Sequence, residues 1–325
     1  MITFIVTTYN LEEHLLRHCL ESIVAQGLER NDYEIIVVDD ESDISPQHIV
    51  EEFTDRADIH LYTQRHSRQG AARNLALQYA RGEWVEFVDG DDYLFAQSVA
   101  PCLAIAEDNK LDLLMFSFRE VEGVNTEATQ QATVCKEIIV TTGNEYMTEH
   151  NLFGCCWPLL IHRTLLNGDN KNEPLRFAEG VYIEDEEFVT RLVWRAQRMA
   201  KTDNVVYAYY QRPGSTVNNR NRSHTDELFA NYFVALRRML DFEASIATQP
   251  HEGVTRKVRL FAVDILRRAL REEDWRERWE QSAQQLRPLG LYPIPHARYS
   301  WKYRVFGLLA RCKMGRKLLQ IIERR

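Results

Sequence analysis

Along the first 120 residues, continuous apolar runs alternate with apolar residues at helical spacing. Ile2 to Thr8 is rich in β-branched residues and predicts a buried strand. Within residues 11–26, Leu11, Leu15, Leu16, Cys19, Leu20, Ile23 and Val24 form a stripe that predicts an amphipathic helix. "YEIIVVDD", "IHLYT", "EWVEFV" and "LDLLMFSF" read as four further strands, with helices at "SPQHIVEEF" and "QGAARNLALQYA". Ser45 is placed to cap the first of these helices, with Pro46 at its first position. Gly82 sits just past the other, where a C-terminal cap favours a residue free to adopt positive φ. The alternation predicts an α/β fold with a mostly parallel sheet and helices on both faces.

The pattern then loosens. Residues 119–140 read as a hairpin or excursion, and a helix starts near Gly143. "CCWPLLIH" and "NVVYAYYQR" are strand candidates separated by the helical "DEEFVTRLVWRAQRM". From about Thr225 every periodic stretch is helical. The change of period and the polar run "NNRNRSHT" predict two domains, residues 1–220 and a C-terminal helical region over residues 221–325.

Composition narrows this to a soluble globular class, with 45% hydrophobic and 27% charged residues. The opening "MITFIVTTYN" lacks the basic and apolar regions of a secretory signal, and no run approaches ~18 apolar residues, so the expectation is a cytoplasmic chain. The six cysteines are scattered without a CxxC pair, which predicts reduced thiols and no zinc site. The net charge of -8 hides an asymmetry: residues 296–325 hold nine Lys/Arg against Glu323 alone, a +8 tail on a -16 body. That tail mixes its charges with Trp301, Val305, Phe306, Leu308, Leu318, Ile321 and Ile322. Such a helix can lie on an anionic membrane surface, as a peripheral protein would; alternatively its apolar residues pack on the body. The acidic remainder argues against nucleic acid as a partner.

Candidate chemistry gathers where the strands end. Ligands of open parallel sheets bind at the carboxyl ends of the strands. Strand one ends in Thr7, Thr8, Tyr9 and Asn10, strand two in Asp39 and Asp40, strand four in Asp89, Asp91 and Asp92. Asp is also a good turn residue, so each cluster alone reads as a charged turn. Asp89-Gly90-Asp91 is a different matter if Gly90, by permitting an unusual backbone, lets two carboxylates converge on one hard cation, Mg²⁺ or Mn²⁺, which prefer oxygen ligands. Further on, "EDEE" (184–187) is either a set of acids favouring a helix N-terminus or a source of catalytic carboxylates.

Five blocks, in order, decide between these readings: "FIVTTYN", "YEIIVVDDES", "RQGAARNLALQYARGEWVEFVDGDD", "EGVYIEDEEF" and "YYQRPGS". In order and spacing they resemble the inverting glycosyltransferases of family 2, of bacterial polysaccharide type, across about residues 1–217. The resemblance implies a GT-A (Rossmann-like) fold with a nucleotide-diphosphate sugar, UDP-linked by expectation, over the strand ends. It implies donor contacts from Thr8 and from Tyr9 beside the base, Asp40 at the base edge, Arg73 near the nucleotide and Asp89 near the ribose. Asp91, with Asp89, would hold Mn²⁺ or Mg²⁺ on the diphosphate. Arg212 and Ser215 would close over the phosphates, and His66, Arg68 and Gln69 are further donor candidates. Asp185 takes the position of the general base, with Glu184 a second candidate or a neighbour raising its pKa. The implied acceptor is a hydroxyl of a glycan or lipid-linked glycan. A polyprenyl-phosphate sugar synthase of the same fold and a non-catalytic nucleotide-sugar-binding scaffold are the alternatives. Two positions depart from the family: Glu41 stands where it usually has Gly, and Leu159 near where it often has Lys.

Overall fold

The computed structural model describes residues 1–123, 138–168, 173–211, 221–295 and 299–324. Arg212 and Ser215 lie outside the described residues, as does the expected boundary at residue 220. The chain divides into two compact units, Met1–Gly143 with Phe153–Thr225, and Asn144–Leu152 with Asp226–Arg325.

The first unit is built on β1 (Ile2–Thr8), β2 (Tyr33–Asp39), β3 (Ile59–Thr63), β4 (Trp84–Asp89), β5 (Tyr93–Leu94), β6 (Leu113–Val121), β7 (Leu159–His162) and β8 (Met199–Tyr210). They form one eight-stranded sheet in the order β3-β2-β1-β4-β7-β6-β8-β5. The three strands that end in the candidate site residues, β2, β1 and β4, are adjacent and parallel, as the predicted alternation requires. β1 and β2 are buried at every residue, the reason their sequences are mostly apolar rather than alternating. Register aligns the ends: Thr8 pairs with Asp39, and Thr7 with Asp89.

The helices of this unit are α1 (Glu13–Val24), α2 (Gln47–Glu51), α3 (Arg68–Tyr79), α4 (Val99–Asp108) and α6 (Glu184–Arg195); α5 (Gly143–Glu149) begins at its edge. α2 starts at Gln47 with Pro46 in the N-cap position, and the Ser45 hydroxyl accepts from the Gln47 amide at 3.4 Å. β7 is shorter than "CCWPLLIH", because Cys155, Cys156 and Trp157 precede the strand. It runs antiparallel to β4 and β6, and β5 pairs antiparallel with β8, so the sheet is mostly, not wholly, parallel.

Two glycines do other work than expected. α3 ends at Tyr79 with Ala80 as its C-cap residue, and Gly82 has no positive φ; a Cβ there would sit 2.5 Å from the Thr3 amide nitrogen. Gly90 has no positive φ either, and a Cβ would sit 2.8 Å from the Thr7 carbonyl oxygen. Both positions need glycine for space, not for an unusual backbone.

The second unit holds α7 (Arg222–Ser245, entered from the first unit), α8 (Glu252–Arg271), α9 (Trp275–Leu286), α10 (Trp301–Leu309) and α11 (Lys313–Glu323). On α8, Arg256 and Lys257 are buried and bind backbone carbonyls. Arg256 donates to the Met147 and His150 oxygens, and Lys257 to that of Leu152. Cations there satisfy the carbonyls left open at the end of α5.

Candidate active site

The loop after β2 sets one wall. Asp39 Oδ1 accepts from the Ser42 amide and hydroxyl, at 3.1 and 2.6 Å. Glu41 follows with φ +68, the conformation that favours glycine and the physical sense of the family's preference there. Its carboxylate is used, accepting from the His66 amide at 2.9 Å. Asp40 is buried and accepts from Gln64 Nε2 and from the Ser67 and Arg68 amides at 2.7–2.9 Å. Its carboxylate therefore ties the end of β2 to the N-terminus of α3. His66 Nδ1 lies 2.9 Å from the same carboxylate, and its ring stacks on exposed Tyr9 at 4.3 Å between centroids. Thr8 is buried, and its carbonyl accepts from the Asp40 amide. Arg68 turns aside, stacking over Tyr182 at 3.9 Å.

The floor is β4 and the turn after it. Asp92 is buried; Oδ2 accepts from the Tyr207 hydroxyl at 2.7 Å and Oδ1 from the Tyr210 amide at 2.8 Å. Burial, with Asp89 and Asp91 close by, pushes its pKa well up. Tyr207 also accepts from the Asp89 amide, and its ring stacks on Trp157 at 4.4 Å. Asp92 is thus the bolt between this turn and β8. Tyr207 carried no signal as a site residue, although a tyrosine in a buried strand needs a partner for its hydroxyl. Asp91 is half-buried beside these groups.

The back wall is α3 against α6. Arg73, 1% exposed, donates from Nη1 to Asp185 Oδ1 at 2.5 Å and Glu184 Oε1 at 3.0 Å, and from Nη2 to Asp89 Oδ1 at 2.8 Å. Burial alone would lower its pKa, but the three acids hold it well above the ordinary value. Gln69 Nε2 adds a 2.5 Å bond to the same Asp89 oxygen. One turn along α3, Asn74 exchanges hydrogen bonds with the Phe177 backbone, and a Cβ at Gly70 would lie 2.5 Å from the Ala178 oxygen. α3 therefore clamps the chain that leads into α6. Ile183, the last residue before that helix, has φ +65, a strained conformation for a β-branched side chain.

The two acids differ. Burial and the charge of Asp185 lift Glu184 to about 8, so it is protonated at neutral pH. Burial also raises Asp185, while Arg73 and hydrogen bonds from the Cys156 amide and side chain hold it down. Leu159 is buried in β7 and takes no place among these groups. A three-ligand cluster with metal-like spacing, Glu34, Asp58 and His60, lies elsewhere, and Arg81 bridges two of its acids.

A mostly parallel sheet of this order, followed by a helical C-terminal region, has the GT-A fold. The chain belongs to glycosyl transferase family 2, whose family model matches residues 3–167. It is 27% identical over 261 residues to the uncharacterized glycosyltransferase EpsJ of Bacillus subtilis, covering 78% of this chain and 71% of that protein. It is 28% identical over 211 residues to the poly(ribitol-phosphate) beta-N-acetylglucosaminyltransferase TarS of Staphylococcus aureus, covering 63% of this chain but 34% of TarS. The fold matches the crystal structure of TarS 1–349 in complex with UDP-GlcNAc, with a TM-score of 0.64, 20% identity, and 99% and 90% of the two chains covered. It also matches the mannosyltransferase PcManGT of Pyrobaculum calidifontis in complex with GDP-Man and Mn²⁺, at a TM-score of 0.54 and 15% identity, covering 99% and 86%.

Proposed function

We propose that this glycosyltransferase moves a sugar, with inversion, from a UDP-linked donor to a hydroxyl of a glycan or lipid-linked glycan in the cytoplasm. The observation that carries the proposal is Arg73, which holds Asp185 and Glu184 opposite Asp89 at the strand ends. In a direct displacement, Asp185 takes the proton of the acceptor hydroxyl as its oxygen bonds to the anomeric carbon and the bond to the diphosphate breaks. Asp185 suits the role better than Glu184: it is the more exposed of the two, and Arg73 and the Cys156 hydrogen bonds favour its charged form, whereas burial and the charge of Asp185 lift Glu184 to about 8. A positioned base of this kind contributes ~10²–10⁴-fold.

The Tyr9–His66 stack offers an aromatic platform for the nucleobase, and Asp40 orders the loop that carries it. Asp89 and Asp91 supply hard oxygen ligands, which fits a Mg²⁺ or Mn²⁺ site that uses one or two carboxylates and completes itself with substrate phosphates. Asp91 and Asp89 would hold the cation, which when bound supplies positive charge against the leaving diphosphate. Arg212 and Ser215 keep their assignment to the phosphates on sequence grounds.

The experiment is UDP release from a panel of UDP-sugars, with Mn²⁺ and with EDTA, on wild type and Asp185→Asn. Expected are metal-dependent release and a loss of ~10²–10⁴-fold in kcat, with donor binding retained. A loss below about tenfold would point to a phosphate acceptor, which needs little help from a base. Binding without turnover for every donor would leave the scaffold reading.

A further inference from the structure

We infer that α10 and α11 form a foot that docks the enzyme on an anionic lipid bilayer. The inference rests on the tail alone and stands whether or not the sugar-transfer reading does. The two helices use one set of apolar residues inward: Phe306, Ala310, Gly315 and Leu319 are buried. Glu323, the tail's single acid, is spent inward too, pairing with Arg267 at 2.6 Å and Arg271 at 3.0 Å on α8. Arg316 also turns inward, to Glu280 at 3.0 Å.

A second apolar set is left facing solvent. On α10 it is Trp301, Val305 and Leu308, at i, i+4 and i+7; on α11 it is Met314, Leu318, Ile321 and Ile322, at i, i+4, i+7 and i+8. Trp301 is 71% exposed, Leu308 64% and Met314 84%. Residues at these spacings share a helix face. Lys302, Arg311, Lys313 and Lys317 are exposed around them. Apolar side chains flanked by cations suit the boundary between acyl chains and anionic headgroups.

Charge decides between occupants. A symmetric pairing of two copies through this face would set one +8 tail on another. A nucleic acid would neutralise the cations but give Leu308, Met314 and Ile321 nothing apolar to bury in, on a chain whose remainder is -16. An anionic bilayer satisfies both sets at once.

The test uses the full chain with vesicles of phosphatidylcholine, alone or with about a third phosphatidylglycerol. We expect flotation with the anionic vesicles only, weakening as salt rises. The triple change Lys302→Gln, Lys313→Gln, Lys317→Gln should lower the partition constant on the order of a hundredfold, at about fivefold per lysine. Leu308→Ser with Met314→Ser, at exposed positions that leave the fold intact, should abolish it. Brominated acyl chains should quench tryptophan emission in wild type and less in Trp301→Phe. Absence of flotation, or equal flotation with neutral vesicles, overturns the inference. So does a wild-type dimer that Leu308→Ser with Met314→Ser converts to monomer, which would make the face a subunit interface.

Discussion

Single residues show how chemistry and packing divide the acids. Glu86, on β4, is fully buried with neither carboxyl oxygen hydrogen-bonded among the described residues, and burial pushes its pKa well up. A raised carboxyl favours the fold below its unfolded pKa of about 4.3, and that contribution is lost as pH rises toward the folded value. Glu86→Met should therefore stabilise the protein at pH 7 by about 1–3 kcal/mol, with little gain at pH 4, in urea titrations at the two pH values. Glu184 gives a second pH prediction. Above about 8 it ionises and competes with Asp185 for Arg73. Activity should fall through that pH, and Glu184→Gln should remove the break from the profile of kcat against pH. The roles of Asp91 and Asp185 came from the order of sequence blocks. The same blocks put Arg73 near the nucleotide but could not give its three acid partners, which lie 16, 111 and 112 positions along the chain.

Elements explain what the sequence pattern carried and what it did not. β1, β2 and β4 were legible because strands buried at nearly every residue are mostly apolar, and their ends follow from where that stops. The order of β5 to β8 was not: β7 has four residues and β5 two, too few to show a period. Gly82 and Gly90 were misread because residue type cannot separate a need for space from a need for positive φ. Elements also yield tests. Gly70→Ala would press α3 against the Ala178 carbonyl and the Glu184 side chain, a strain of about 1–3 kcal/mol. Thermal unfolding should show that loss, and kcat should fall with it, since the same contact sets the start of α6. Tyr207→Phe would leave buried Asp92 without the hydroxyl and the Asp89 amide without its acceptor. The expected loss is about 1–3 kcal/mol by urea denaturation, with weaker donor binding.

At the scale of the whole molecule, a metal-linked donor should act as a ligand of the folded state only. At a hundred times its Kd, with Mn²⁺, it should add about 2.7 kcal/mol of stability, and EDTA should cancel the gain in melting temperature. Three connections of the site reach forward in the chain: the Asp89 amide to Tyr207, Asp92 to Tyr210, and Arg73 to Glu184 and Asp185. The family match ends at residue 167, before any of them. During synthesis the strand ends therefore emerge long before the groups that finish them. A nascent chain arrested at residue 167 would hold Arg73 beside Asp89 with its other two acids still unmade. Donor binding should appear only once residue 210 has cleared the ribosome, so the pocket is a late event of translation although its first residues are Thr8 and Tyr9.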